Sequence, residues 1–66
     1  MGLTQYIGER WSDPGGMARV ITHAYMGPDW ERNDDGSAVL WVVFDNSNLL
    51  TYNRTELPAL GWSWIS

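Results

Sequence analysis

Turn-forming residues cut this chain into pieces too short for a helical fold. Between "SDPGG" at 12–16, Gly27–Pro28, "NDDG" at 33–36, "DNSN" at 45–48 and the Pro58 to Gly61 stretch, no interior segment exceeds ten residues. Proline fixes φ and removes a backbone donor, while glycine tolerates positive φ, so such clusters mark chain reversals. Short pieces separated by regular turn signals read as the strands of an all-β domain. The predicted strands are 5–11 ("QYIGERW"), 17–26 ("MARVITHAYM"), 37–44 ("SAVLWVVF"), 49–54 ("LLTYNR") and 61–65 ("GWSWI"). The loop 27–36 is polar and carries Trp30 in an exposed setting. Segment 55–60 has a candidate N-cap at Thr55 and a proline three residues on, which leaves room only for a 3₁₀ turn. A helix competes for 17–26, but Gly16 and Gly27 hold it under three turns and β-branched Val20, Ile21 and Thr22 sit at its centre. As a strand it divides Ala18, Val20, Thr22 and Ala24 from Arg19, Ile21, His23 and Tyr25.

A chain of 66 residues makes one domain at most, spanning 1–66. A domain of that size buries only about 60% of the surface its unfolded chain exposes. Cysteine is absent, which removes disulfides and thiolate metal sites. Five Trp, three Tyr and one Phe are the compensation, each able to bury about 150–250 Å². Eight acidic residues face four basic ones, all arginine, for a net charge of −4. That balance argues against a phosphate-tracking surface, which needs clustered positive charge. The missing lysine suits a GC-rich genome, an actinobacterium or one of its phages. No apolar run approaches the roughly 18–20 residues that span a membrane. The start "MGLTQYIGERW" has neither the basic nor the apolar region of a signal peptide, and Tyr6 stands where myristoylation needs Ser or Thr. The expected compartment is the cytoplasm.

Five short strands, a long loop between the second and third, a tight hairpin between the third and fourth and a 3₁₀ turn before the last resemble the SH3-like small barrels. The residues carrying the resemblance are Gly16 to Val20 ("GMARV"), "VVFD" at 42–45, Tyr52, and Glu56–Leu57 leading to Trp62. It covers nearly the whole chain and is a likeness of strand order. It implies a five-stranded SH3-like barrel. Because that superfamily holds peptide-binding SH3 domains, Tudor-type readers, nucleic-acid-binding modules and small enzyme subunits, it implies an interaction module as the commonest outcome.

Chemistry-bearing constellations are sparse. His23 is the single histidine, set on a strand beside Ile21 and Tyr25, and a catalytic histidine needs an orienting carboxylate and a proton to move. Ser12, Ser37, Ser47, Ser63 and Ser66 lie at turns, strand ends or the terminus, without a nucleophile elbow. Glu31, Asn33 and Asp35 before Gly36 mimic half a calcium loop, but its closing acid would fall on Val42, so Asp34 and Asp35 read as turn residues. "NRT" at Asn53–Thr55 matches a glycosylation sequon, which means nothing without secretion. Trp11, Tyr25, Trp41 and Tyr52 could stack bases, against the acidic balance. A sharper possibility is an aromatic groove joining Trp11, Trp30, Tyr52 and Trp62, with Asp13 and Glu56 facing a cationic ligand. Trp62 and Tyr52 read more readily as core.

The predicted third strand is apolar on both faces. Leu40, Val42 and Phe44 face the interior with Leu50, Tyr52, Val20, Ile7 and Leu57, leaving Val39, Trp41 and Val43 outward. Burying each such side chain is worth about 1.5–3 kcal/mol, so something should cover them. The candidates are the C-terminal "WSWI" or the Trp30 loop, a second copy in a symmetric dimer, or a partner anchored on Trp41. The reading is therefore a non-catalytic protein-interaction module, with no cofactor and no metal. Val39, Trp41 and Val43 are its expected contact face, with Trp11 and Trp30 as a second aromatic site. A phage accessory protein acting on a host or virion protein fits this size and charge. The alternative is a nucleic-acid-associated module, and an enzyme subunit completed by oligomerisation stands third.

Overall fold

A computed structural model describes residues 3–45 and 50–66. Five strands form one curled antiparallel sheet, an open half-barrel: β1 (Arg10–Ser12), β2 (Ala18–Met26), β3 (Leu40–Phe44), β4 (Thr51–Asn53) and β5 (Ser63–Trp64), in the spatial order β4-β3-β2-β1-β5. Three 3₁₀ turns, Leu3–Tyr6, Arg54–Glu56 and Pro58–Leu60, complete it. The expected turn at 45–48 falls, beyond Asp45, outside the described residues.

The strand expected over 5–11 starts five residues late. Residues 3–6 coil instead, with Ile7 N–H donating to the Thr4 carbonyl and Glu9 N–H to the Tyr6 carbonyl. Gly8, at φ 97°, then swings the chain into β1, a conformation that costs glycine little. Gly8 N–H still donates to the Ile21 carbonyl and Ile21 N–H to the Glu9 carbonyl, so the segment stays tied to β2. The coil lays Leu3 and Tyr6 against the core and leaves Ile7, expected inside, exposed.

β2 is the shared element, pairing with β1 along its first half and with β3 along its second. A register shift between Ile21 and His23 leaves Thr22 as the extra residue of a bulge. Its hydroxyl donates to the Val43 carbonyl at 3.3 Å. The extra residue reverses the alternation. Ile21 lies opposite Phe44 and Ala24 opposite Val42 on the concave face, while His23, Val43 and Thr51, then Tyr25, Trp41 and Asn53, align on the convex face. The expected grouping of Val20, Thr22 and Ala24 therefore breaks. Ile21 becomes a fully buried core residue and Val20 is only half-buried.

Trp11, Ile21, Leu40, Val42, Phe44, Leu57 and Trp62 make the core, flanked by Leu3, Tyr6, Ala24 and Tyr52. Phe44 and Trp62 stack at 4.3 Å and 14°, and Tyr52 meets Phe44 edge-on at 5.8 Å. Trp62 and Tyr52 are thus core-side, as expected of aromatic filler in a small domain without disulfides. Leu50, expected among them, precedes β4 and is exposed. The first 3₁₀ turn after β4 is capped by Asn53 rather than Thr55: Asn53 Oδ1 accepts from Thr55 N–H at 3.1 Å. The turns carry Leu57 into the core with no exposed surface, and Gly61, at φ 95°, ends the second one before Trp62.

Candidate interaction surfaces

The outward face of β3 is closed. Val39 is 3% exposed, Val43 8%, and Trp41 is half-buried, so of the covers considered for this face the chain's own is the one observed, and Val39 and Val43, expected as contact residues, are buried. The 27–38 loop lies over its Val39–Trp41 end, held there by named bonds. Gly27 N–H donates to the Val39 carbonyl at 2.9 Å, and the Trp41 indole Nε1–H donates to Glu31 Oε1 at 2.8 Å. Asn33 Nδ2 donates to the Ser37 hydroxyl and the Ala38 carbonyl, while Asn33 Oδ1 accepts from Asn53 Nδ2 at 2.7 Å. Gly27 is the tight spot. A β-carbon there would sit 2.6 Å from Glu31 Oε1, 3.1 Å from Trp41 Nε1 and 3.4 Å from Val39 Cβ. Of the two chain segments able to cover β3, the Trp30 loop is the one that does so, because Trp62 and Trp64 are engaged with the core residues Phe44 and Trp11.

Trp30 itself turns away from the face its loop covers and is 82% exposed. Its backbone is fixed on both sides, by Glu31 N–H on the Pro28 carbonyl at 2.9 Å and Arg32 Nε on the Asp29 carbonyl at 3.0 Å. Tyr25 and Met26, close to half exposed at the end of β2, lie within the same six-residue run, 25–30. Acidic residues surround it in sequence: Asp29, Asp34 and Asp35 are all exposed. The Ser37 hydroxyl, at 2.6 Å, and then its N–H hold the Asp35 carboxyl below the usual carboxylate range. That is the turn role expected of Asp35, and Gly36 at φ 87° completes the reversal. Between this loop (Arg32 to Asp35) and the turn after β4 (Asn53, Thr55, Glu56) lies a pocket of about 330 Å³.

Trp11 sits elsewhere, 5% exposed on β1. The groove expected to join Trp11, Trp30, Tyr52 and Trp62 is divided: Trp11 and Trp62 are buried in the core with Tyr52 beside them, and Trp30 stands apart. Asp13 and Glu56 are divided too. Asp13 accepts from Met17 N–H at 2.9 Å and pairs with Arg19 at 3.1 Å, which hold its carboxyl below the usual range, the Met17 bond first. Glu56 faces the pocket instead.

Around Trp11 the fold assembles a group that strand spacing alone did not reveal. Trp11 Nε1–H donates to Glu9 Oε1 at 3.2 Å. Glu9 in turn receives a two-pronged pair from Arg54, Nε to Oε1 and Nη2 to Oε2, both at 2.9 Å. The guanidinium carbon lies 5.0 Å from the Tyr6 ring centre, 5.8 Å from Trp11 and 5.9 Å from Trp64. Trp64 meets Trp11 edge-on at 5.5 Å across the β1–β5 pair. Bonding to Glu9, the largest influence, raises the Arg54 pKa against the opposing effect of burial. The i, i+2 spacing of Glu9 and Trp11 was a readable signal. Arg54, 45 residues from Glu9, was not.

No protein-family model matches the chain, and no curated protein or solved structure matches it. Among the described residues no helix is long and apolar enough to cross a membrane.

Proposed function

We propose that this chain is a non-catalytic protein-interaction module that presents Trp30 to a protein partner. The observation that carries the reading is an indole 82% exposed on a loop whose backbone is fixed on both sides of it. A side chain carried on a fixed backbone leaves only its own rotations to be ordered on binding, and tryptophan is among the residues enriched at energetic hot spots. Val39, Trp41 and Val43 serve this reading indirectly: Val39 and Trp41 form the floor on which the loop is seated, and Val43 continues their face. The dimer alternative rested on an open β3 face, and that face is covered.

Asp29, Asp34 and Asp35 on the same loop, within a chain of net charge −4, favour a partner whose apolar recess is rimmed by arginine or lysine. Their charges steer encounter and choose the partner, while Trp30 supplies buried area. The SH3-like assignment is part of this proposal. Its supports are the strand order, the bulged β2 shared by both halves and the 3₁₀ turns before β5. The lysine-free composition supports a GC-rich bacterial or phage origin, with a host or virion protein met in the cytoplasm.

Paired baits test the reading. Wild type and Trp30→Ala, matched for folding by circular dichroism, are challenged with the same bacterial lysate. A stoichiometric partner held by wild type and lost by the variant supports it. A partner held equally by both contradicts it.

A further inference from the structure

We infer that Tyr6, Glu9, Trp11 and Trp64 form a guanidinium-binding cage, filled in this chain by its own Arg54 and open to exchange with an arginine side chain of a partner. The cage is built from elements other than the one that carries Arg54. Tyr6 comes from the first 3₁₀ turn and packs on the core, Glu9 and Trp11 come from the β1 arm, and Trp64 comes from β5. Trp11 is locked in the core and its indole N–H orients the Glu9 carboxylate. The receptor side is therefore organised by its own contacts.

The chemistry selects arginine. Both Glu9 oxygens accept from one guanidinium edge at 2.9 Å, a fork geometry that a lysine ammonium does not reproduce. Three rings within 6 Å supply the faces that attract a weakly hydrated planar cation. Anions are disfavoured by Glu9. Access exists on the Trp64 side: Trp64 is 54% exposed on a two-residue edge strand, and the Arg54 side chain is 31% exposed. An incoming arginine would meet the same carboxylate and the same rings, with Arg54 released to water. The interaction reading supplies only the source of that arginine; the cage uses none of the Trp30 residues.

The test titrates N-acetyl-arginine methylamide into 15N-labelled protein while the Trp11 and Trp64 indole N–H signals and the Arg54 Nε–H signal are followed. In Arg54→Ala the cage is vacant, and both indole signals should shift saturably. Wild type should show the same shifts at about ten-fold or more higher probe concentration, because its cage is mostly occupied, with Arg54 Nε–H moving toward its solvent-exposed position. Adding Glu9→Gln should abolish the response, and N-acetyl-lysine methylamide should not produce it. A folded Arg54→Ala protein without saturable indole shifts overturns the inference, as do shifts that survive Glu9→Gln. If Arg54→Ala does not fold, wild type decides: displacement of the Arg54 Nε–H signal supports exchange, and an unmoved signal at the highest probe concentration overturns it. Trp30→Ala should leave the titration unchanged, so failure here and failure of the Trp30 reading are separate results.

Discussion

Replacing Gly27 with alanine should loosen the loop that closes β3, and the geometry sets the size of the effect. Gly27 is not among the glycines at positive φ, so the cost is steric. The new methyl would lie 2.6 Å from Glu31 Oε1 and 3.1 Å from Trp41 Nε1. The carboxylate ends a flexible side chain and can move, but moving it gives up the 2.8 Å bond from the Trp41 indole. A hydrogen bond to a charged group is worth about 1.5–3 kcal/mol. Alanine returns about 0.4–1 kcal/mol by restricting the unfolded chain. The net expectation is a loss of about 0.5–2.5 kcal/mol, or a fall in Tm of roughly 2–20 °C at the scale of about 4–8 °C per kcal/mol for a domain this small. Urea unfolding reads it as a lower midpoint at unchanged slope. Gly27 and Glu31 should also be coupled. In a Glu31→Ala background the methyl no longer meets a carboxylate, so Gly27→Ala should cost less than in the native chain, leaving only its 3.1 Å approach to Trp41 Nε1. An unchanged or raised midpoint in the otherwise native chain would refute the argument.

Trp30→Ala should change stability by no more than about 0.5 kcal/mol, the range of surface substitutions, measured by the same urea midpoint. Leu57→Ala removes a side chain with no exposed surface and should cost about 2–5 kcal/mol; against a net stability of about 3–5 kcal/mol it should leave much of the protein unfolded by near-ultraviolet circular dichroism. Asp13 has a lowered native pKa, so its contribution is fully present above the unfolded value of about 4 and is lost as pH falls through the lower native one. Asp13→Asn should therefore be less stable than wild type near neutrality, with the gap closing as pH falls below about 4 in pH-dependent thermal melts.

Turn chemistry was the legible part of the fold. The glycine, proline and Asn/Asp clusters separate five strands and leave only 3₁₀ turns between β4 and β5, and the alternation of Leu40, Val42 and Phe44 places all three in the core. Period-two reasoning fails at Thr22, because a bulge adds one residue to β2 and exchanges the faces on either side. Nothing local marks that bulge. The first segment reads as a strand by composition, yet Gly8 redirects it and the 3₁₀ turn packs Leu3 and Tyr6, both partly buried, against the core. For the candidate sites, the aromatic residues singled out from the sequence stand in surroundings other than those expected. Trp41 finds its partner in Glu31, ten residues earlier, and Trp11 gains Arg54 from across the fold. Pairings of this kind depend on how the loops close, which strand periodicity does not encode.

One contrast is central to the molecule, a half-buried Trp41 beneath a loop that leaves Trp30 in water. Incorporating 5-fluorotryptophan and measuring the H2O-to-D2O isotope shift of each of the five fluorine resonances tests it directly, with assignment by single Trp→Phe replacements. The predicted result is a near-full solvent shift at Trp30 and a small one at Trp41 that grows in Glu31→Ala. Equal shifts at Trp30 and Trp41 in the wild-type chain would contradict it.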